Sequence, residues 1–311
     1  MSPAEGAVTL VEPWHPFRSE AARREYLAFY DERARRWPVP SDSTVVATTS
    51  GETFVRAQGP PDGPALVLIP GDSETSLSWI PVIEAFAAEH RVYALDHLYD
   101  LGRSVHRRRP RRPDDLVRWL DEVLEQLEVD DVRLVAHSYG GWIATLYALE
   151  HAERLDRLVL ISPAATVLRA PVGLIARAIL YGTVSRRSVV RRYLYWYAPD
   201  CVREEETRPA IDEMIEEDLL ARRCFEIKKR DLIRPTVLSD EDWQRLTVPT
   251  LYLVGRDEVT YSAEQAIQRL ADVAPCVTTA ITDGDHHLTI TRPDWVTDHV
   301  LAFLAGRAAQ A

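Results

Sequence analysis

Lysine is nearly missing from this chain. Among 311 residues it occurs only as Lys228 and Lys229, and the remaining basic charge is arginine, which reads as compositional bias rather than as a site. Cysteine is scarce as well. Cys201, Cys224 and Cys276 are odd in number and widely spaced, so they offer neither a disulfide framework nor a metal-ligand pattern, and free thiols in a reducing compartment are expected. No run of 18 or more apolar residues occurs, which excludes a membrane-spanning helix of ordinary length. The opening stretch MSPAEGAVTLVEPWHPF lacks a basic segment followed by a long apolar one, so no secretory signal is read there. A cytoplasmic protein is the expectation.

Positive charge is in deficit. The formal net charge of −11 argues against nucleic acid or an anionic membrane as the main partner, because phosphate binding needs a concentrated positive surface. The run RSVHRRRPRRP, at 103–113, is a local exception and reads as a solvated loop leading into a helix.

What is present is an ordinary globular composition, 46% hydrophobic and 27% charged, with enough chain to bury a large core. A helix is predicted over 19–37, with Tyr26, Tyr30, Ala34 and Trp37 on one face, ended by Pro38 and Pro40. STVVATTSGETFVRAQG reads as a β-hairpin turning at Ser50-Gly51. Short apolar runs follow at 65–70, 91–96, 132–137, 157–162, 249–254 and 276–281. Continuous apolar runs of this length suit parallel strands covered on both faces. Helical patterns lie between them, over 79–90 and 114–127 among others. Such alternation predicts an α/β fold with a mainly parallel sheet flanked by helices.

The alternation breaks once. Between about 165 and 247 no core strand is evident, only helical segments, and this is too much chain for a connecting loop. The expected organisation is an N-terminal helical arm over 1–40, an α/β core over 41–164 and 248–311, and a helical cap over 165–247. A cap inserted there should cover the C-terminal strand ends, where open α/β sheets bind ligands.

The strongest chemical signal is Ala136-His137-Ser138-Tyr139-Gly140-Gly141, which follows the run VRLVAH and opens a helix. A serine on such a strand-to-helix turn is held exposed at the mouth of the sheet, and small residues two before and two after it, here Ala136 and Gly140, let the turn pack. Ser138 is the predicted nucleophile. It needs a base, and ITDGDHHLTITRPDW, after the last predicted strand, offers His286 and His287. His287, preceding Leu288 in a G-x-x-H-L arrangement, is the expected base and His286 a loop residue. The base needs a carboxylate, which in this chain order should follow a strand between the two. Gly255-Arg256-Asp257-Glu258 supplies two candidates. Counting three on from the glycine favours Glu258, while Asp257 is the commoner acid type. An oxyanion hole is expected from the backbone N–H groups of Tyr139 and Asp72, with the small Gly71 allowing close approach. Gly71 and Ser73, with Tyr195 and Trp196 of the dense aromatic stretch 193–197, are the candidate substrate contacts, although dense aromatics more often serve packing. No metal or organic cofactor is called for.

Taken in order, LVLIPGDSETSLSW, ALDHLYDLGRS, LVAHSYGG, LVLISPAA, LYLVGRDEV and GDHHL resemble the α/β-hydrolase superfamily, in its carboxylesterase and lipase-like bacterial branch, over nearly the whole chain. The resemblance implies acyl transfer from a small-molecule ester to water. Thioester, lactone or carbon–carbon bond hydrolysis, a non-hydrolytic biosynthetic reaction, and a receptor-like protein with little turnover share the same framework. The sequence departs from the family pattern in two places. Pro70-Gly71 stands where His-Gly is usual, and His286 where the residue before the base is usually glycine. Serine at 138 argues against haloalkane dehalogenases and epoxide hydrolases, whose nucleophile is a carboxylate. Oligomeric state and substrate identity are not readable from the sequence.

Overall fold

The computed structural model describes residues 15–226 and 233–307. The first 14 residues of the N-terminal arm, Lys228 and Lys229 within the 165–247 region, and the last four residues lie outside the described residues.

Helix α1 (Glu20–Ala34) starts at Ser19, whose side chain accepts the Ala22 N–H. The hairpin follows, β1 (Ser41–Thr48) and β2 (Gly51–Gln58), antiparallel with Thr48 opposite Gly51. Then come β3 (Ala65–Ile69), a short 3-10 turn at Ser76–Trp79, α2 (Ile83–Glu89), β4 (Arg91–Leu95) and the two-residue β5 (Val105–His106). The helix expected over 79–90 is thus shorter: the backbone leaves the helical region at Val82, with φ −122° and ψ −10°, and the regular helix begins only at Ile83. Helix α3 (Pro113–Gln126) leads to β6 (Val132–His137), α4 (Ser138–Glu150) and β7 (Leu155–Ile161).

Next come α5 (Val172–Thr183), α6 (Arg187–Tyr197), α7 (Pro199–Arg203), α8 (Arg208–Cys224) and α9 (Asp240–Arg245). The chain returns to the sheet with β8 (Thr250–Gly255), α10 (Ala263–Val273), β9 (Val277–Thr282), α11 (Leu288–Thr291) and α12 (Pro293–Leu304).

Among the described residues one sheet runs in the order β1-β2-β4-β3-β6-β7-β8-β9, with β5 on β2. Strands β4, β3, β6, β7, β8 and β9 pair in parallel, and β1 and β2 are antiparallel at one edge. The α/β fold read from the sequence is the one observed. Alternate side chains of each central strand go to opposite faces. Val67, Ile69, Leu134 and Tyr252 pack with Trp119, Leu120, Ile143 and Tyr147 of α3 and α4. Leu66, Leu68, Val135, Leu251 and Leu253 pack with Phe86, Val296 and Val300 of α2 and α12.

Two of the ties between the helices that separate β7 from β8 and the rest of the molecule bear on the site. Glu217 of α8 accepts a hydrogen bond from the Tyr26 hydroxyl at 2.8 Å and pairs with Arg33, both on α1. The backbone N–H of Asp200, at the start of α7, donates to Asp285 Oδ2 at 2.9 Å, in the loop after β9.

Candidate active site

The parallel strands β3, β6, β8 and β9 end on the same side of the sheet, and the loops leaving them converge on Ser138. This residue is the first of α4 and has φ +49°, in the left-handed region that β-carbon-bearing residues rarely adopt. The turn is possible because Gly140 has no side chain. A Cβ there would lie 2.5 Å from the Pro70 carbonyl oxygen and 2.6 Å from that of Ile69, contacts no alanine could accept. Gly71 is less crowded but also close, since a Cβ on it would stand 3.1 Å from that of Ser138. The loop after β3 therefore approaches the serine at backbone level.

A hydrogen-bonded line runs through the site. Ser138 Oγ is 2.8 Å from His286 Nε2, and His286 Nδ1 is 2.7 Å from Glu258 Oε2. The other carboxylate oxygen of Glu258 accepts the Thr260 N–H at 2.8 Å. Burial alone would push the Glu258 carboxyl up. The charge and hydrogen bond of His286, with those from Thr260, outweigh it and hold the group at about 2. Glu258 is therefore an anion at neutral pH. A hydroxyl, an imidazole and a buried carboxylate so arranged can move a proton from oxygen to nitrogen and balance the resulting charge.

His287, the base expected from the sequence, is not in this line. Its Nε2 lies 3.8 Å from Glu74 Oε1, too long for a hydrogen bond. The cause is the position of α11. His287 is its N-cap, with its carbonyl accepting from Ile290 and Thr291 and its N–H bound to Asp285 Oδ1. This holds its ring away from Ser138 and leaves His286, one residue earlier and still in the loop, to reach between serine and glutamate. Burial, reinforced by the neighbouring His286, pushes the His287 imidazole down to about 3, so it is neutral. Of the two carboxylates in the loop after β8, the structure brings Glu258 to the histidine and leaves the Asp257 side chain exposed.

A second set of polar groups lies beneath the first, and Glu74 was not picked out from the sequence. Its Oε2 accepts the Gly71 N–H at 2.8 Å and meets His137 Nδ1 at 2.9 Å. His137 Nε2 in turn lies 3.0 Å from the carbonyl oxygen of His286. The available signal was an acid three residues after Gly71, at the spacing at which a side chain can reach back to a loop N–H. His137 stands in the serine motif, where its place on the turn carries no sign of its partners.

Tyr139, the residue after Ser138, has its N–H in the first turn of α4, where no intrahelical acceptor exists. Its hydroxyl donates to the Ile233 carbonyl at 2.9 Å. Asp72 and Ser73 line the cavity over Ser138, and Ser73 is held by its N–H to Asp100 Oδ2 at 2.5 Å.

The cavity measures about 80 Å³. From the helices between β7 and β8 it takes Tyr181, Tyr193, Leu194, Tyr197, Met214 and Asp218. Tyr197 lies across His286, with ring centroids 4.8 Å apart. Tyr195 and Trp196, named from the sequence as substrate contacts, are not in this lining. Residues 193, 194 and 197 share one face of α6, whereas 195 and 196 are turned about 100° per residue away from it. There Tyr195 meets Asp212 and Trp196 carries the Arg177 guanidinium at 4.6 Å. Among the described residues no cluster of His, Cys, Asp or Glu is arranged to hold a metal ion, and no helix is long and apolar enough to cross a membrane.

Residues 66–299 match the alpha/beta hydrolase family. Similar curated proteins include carboxylesterase YbfK of Bacillus subtilis, 28% identical over 295 residues that span 92% of this chain and 95% of the relative. Another is the uncharacterized carboxylesterase nap of the same organism, 26% identical and spanning 89% of this chain and 91% of the relative. Among solved structures, carboxylesterase CesB (YbfK) and naproxen esterase, both from Bacillus subtilis, each superpose with a TM-score of 0.83 at 25% identity. Each superposition covers 92% of this chain and 99% of the other.

Proposed function

The chain belongs to the alpha/beta hydrolase family, and from that premise we propose that it is a carboxylesterase that cleaves small-molecule esters through Ser138, His286 and Glu258. One observation carries the reading: the continuous hydrogen-bonded line from Glu258 through His286 to a serine held in left-handed backbone at a strand-to-helix turn. Carboxylesterase relatives of nearly full length support the reaction class.

In this mechanism Ser138 Oγ attacks the ester carbonyl carbon while its proton passes to His286 Nε2. The carboxylate of Glu258 stabilises the imidazolium and keeps Nδ1 protonated, so that Nε2 faces the serine as an acceptor. The N–H groups of Tyr139 and Asp72 donate to the oxyanion. Collapse of the tetrahedral intermediate breaks the ester C–O bond, and His286 returns the proton to the leaving alcohol. Water then attacks the acyl-serine by the same route and the acid departs. The helices over 165–247 act as a cap, and a cavity of about 80 Å³ walled by them favours small acyl groups.

A fluorophosphonate probe and a set of p-nitrophenyl esters of graded acyl length, with matched thioesters and lactones, test this. Wild type should be labelled and should turn over short acyl esters fastest, and Ser138→Ala should lose both properties. Full-strength labelling of Ser138→Ala would overturn the assignment of the nucleophile. Thioester or lactone turnover exceeding that of every ester would move the substrate class.

A further inference from the structure

The carboxylate–imidazole pair beneath the reacting groups has a hydrogen-bond pattern that restricts its charge state. His137 Nε2 faces the carbonyl oxygen of His286, and a carbonyl can only accept, so Nε2 carries a proton. Glu74 Oε2 takes the Gly71 N–H and also meets His137 Nδ1. A neutral His137 with its proton on Nε2 would turn a bare Nδ1 toward a carboxylate oxygen. Transfer of a proton onto Glu74 Oε2 would replace the ionised acceptor of the Gly71 N–H by a hydroxyl, which accepts that bond more weakly. A doubly protonated imidazole beside an ionised carboxylate satisfies every contact.

On the reading that Ser138 and His286 perform acyl transfer, we infer that His137 and Glu74 form a charged positioning pair that fixes the two backbone segments flanking the reaction centre. One end of the pair holds the loop after β3 through the Gly71 N–H, next to the Asp72 N–H that is to meet the oxyanion. The other end holds the backbone of His286, the residue whose ring must lie between Ser138 and Glu258. Glu74 and His137 reach the floor of the cavity, but neither is hydrogen-bonded to the Ser138 hydroxyl or to the His286 ring, so neither handles the proton in transit. They set the distance between the oxyanion loop and the base, which is the geometry that only the transition state tests.

The electrostatics agree with this geometry. Burial lowers the His137 imidazole, but the Glu74 carboxylate and the His286 carbonyl raise it further, and the net direction is above the ordinary value. Burial raises the Glu74 carboxyl, and His137, His287 and the Gly71 N–H together bring it down to about 2. The groups facing His137 are Glu74 from the loop after β3, Glu258 from the loop after β8, and His286 and His287 from the loop after β9. A histidine raised in this way is charged on the acid side and loses its proton as pH rises through the folded value. The pair therefore fails on the alkaline side.

The experiment compares wild type with Glu74→Gln and His137→Gln in kcat, KM and the pH profile of kcat, with thermal melting as a folding control. Glu74→Gln removes the counter-charge with little change of shape. Its kcat should fall at least about tenfold with KM changed far less, and its alkaline limb should move down by about one pH unit or more. His137→Gln should lose that limb. A kcat within twofold of wild type in Glu74→Gln, with the alkaline limb unmoved, would overturn the proposal. A second measurement needs no variant to be active or stable. Nitrogen-15 spectra of histidine-labelled wild type at pH 7 should contain a buried, doubly protonated imidazole whose Nδ1 proton lies far downfield in a bond to carboxylate, and a spectrum without one would also overturn it. If wild type turned over no ester while the imidazolium was present, the functional reading would fail and the charged pair would stand.

Discussion

The loops at the strand ends and the helices between β7 and β8 meet over the same serine, yet they are built on different terms. The loops are fixed by backbone. Gly140 is packed against carbonyl oxygens at distances that leave no room for a methyl group, Gly71 lies close against the serine turn, and Ser138, Glu258, His286, His137 and Glu74 are joined by hydrogen bonds of 2.7–3.0 Å. The inserted helices are fixed by side chains. Tyr181, Tyr193 and Tyr197 stack on one another, while Val172, Ile175, Ile179 and Leu180 of α5 stay exposed at 48–81%. The loops can hold reacting groups to a fraction of an ångström, and the helices can be re-walled without disturbing them. Chemistry should therefore respond to changes in the first region and substrate size to changes in the second.

The sharpest way to break that division is at the two adjacent histidines. His286→Gln removes the ring between Ser138 and Glu258, and kcat should fall on the order of 10⁴-fold or more. His287→Gln removes a buried neutral ring outside the line, so turnover should persist and stability should change instead. The pH dependence of that stability has a definite sign. The folded value of His287, about 3, lies below its unfolded one, so the ring favours the fold above pH 6.5 and loses that contribution as pH falls toward 3. The variant should melt with a shallower dependence on pH across that window. Equal losses of kcat in both variants would mean that the loop after β9 does not discriminate between its histidines.

The next largest effect is expected in the loop after β8. Glu258→Gln leaves the imidazolium without its counter-charge and frees the wrong tautomer to form, so kcat should drop about 10³- to 10⁴-fold. Asp257→Asn alters only an exposed side chain and should stay near wild type in a steady-state assay.

These pairs also mark where reading the sequence succeeds and where it stops. The sheet was legible because β3, β6 and β8 are mostly apolar runs followed by turn or helix-start residues, a pattern that survives without knowledge of their neighbours. Ser138 was legible for the same reason, since a strand, a serine with small flanking residues and a helix are all local. The choice between Glu258 and Asp257 was nearly local, because one faces inward and the other outward after a fixed count. The choice between His286 and His287 was not local. It depends on where α11 begins, and that depends on Asp285 being held by the Asp200 N–H from a helix 85 residues earlier in the chain. Glu74 was invisible for a similar reason, as its partners His137 and Gly71 meet only when β3 and β6 lie side by side. The face of α6 is a matter of phase: the aromatic density of 193–197 is visible in the sequence, but which of its members line the cavity depends on how the helix is set.

The smallest expected effect concerns the inserted helices and asks whether they set substrate size without setting rate. Met214, on α8, lines the cavity and is partly buried, while Trp196, on α6, lies outside the lining under the Arg177 guanidinium. Met214→Ala removes three heavy atoms from the wall of a cavity of about 80 Å³ and leaves every hydrogen bond to Ser138 in place. One methylene of fit in an apolar pocket changes kcat/KM by roughly 10- to 200-fold at best, and a wall made by a flexible methionine side chain should deliver the lower end. The ratio of kcat/KM for hexanoate over acetate esters should therefore rise about tenfold in Met214→Ala, with kcat for acetate little changed. Trp196→Ala should leave the ratio where it is, and any cost should appear as a lower melting temperature from lost packing. If Trp196→Ala shifted the ratio and Met214→Ala did not, the acyl group would lie along the opposite face of α6. The division of labour between loops and helices would survive such a result, and the assignment of the wall would not.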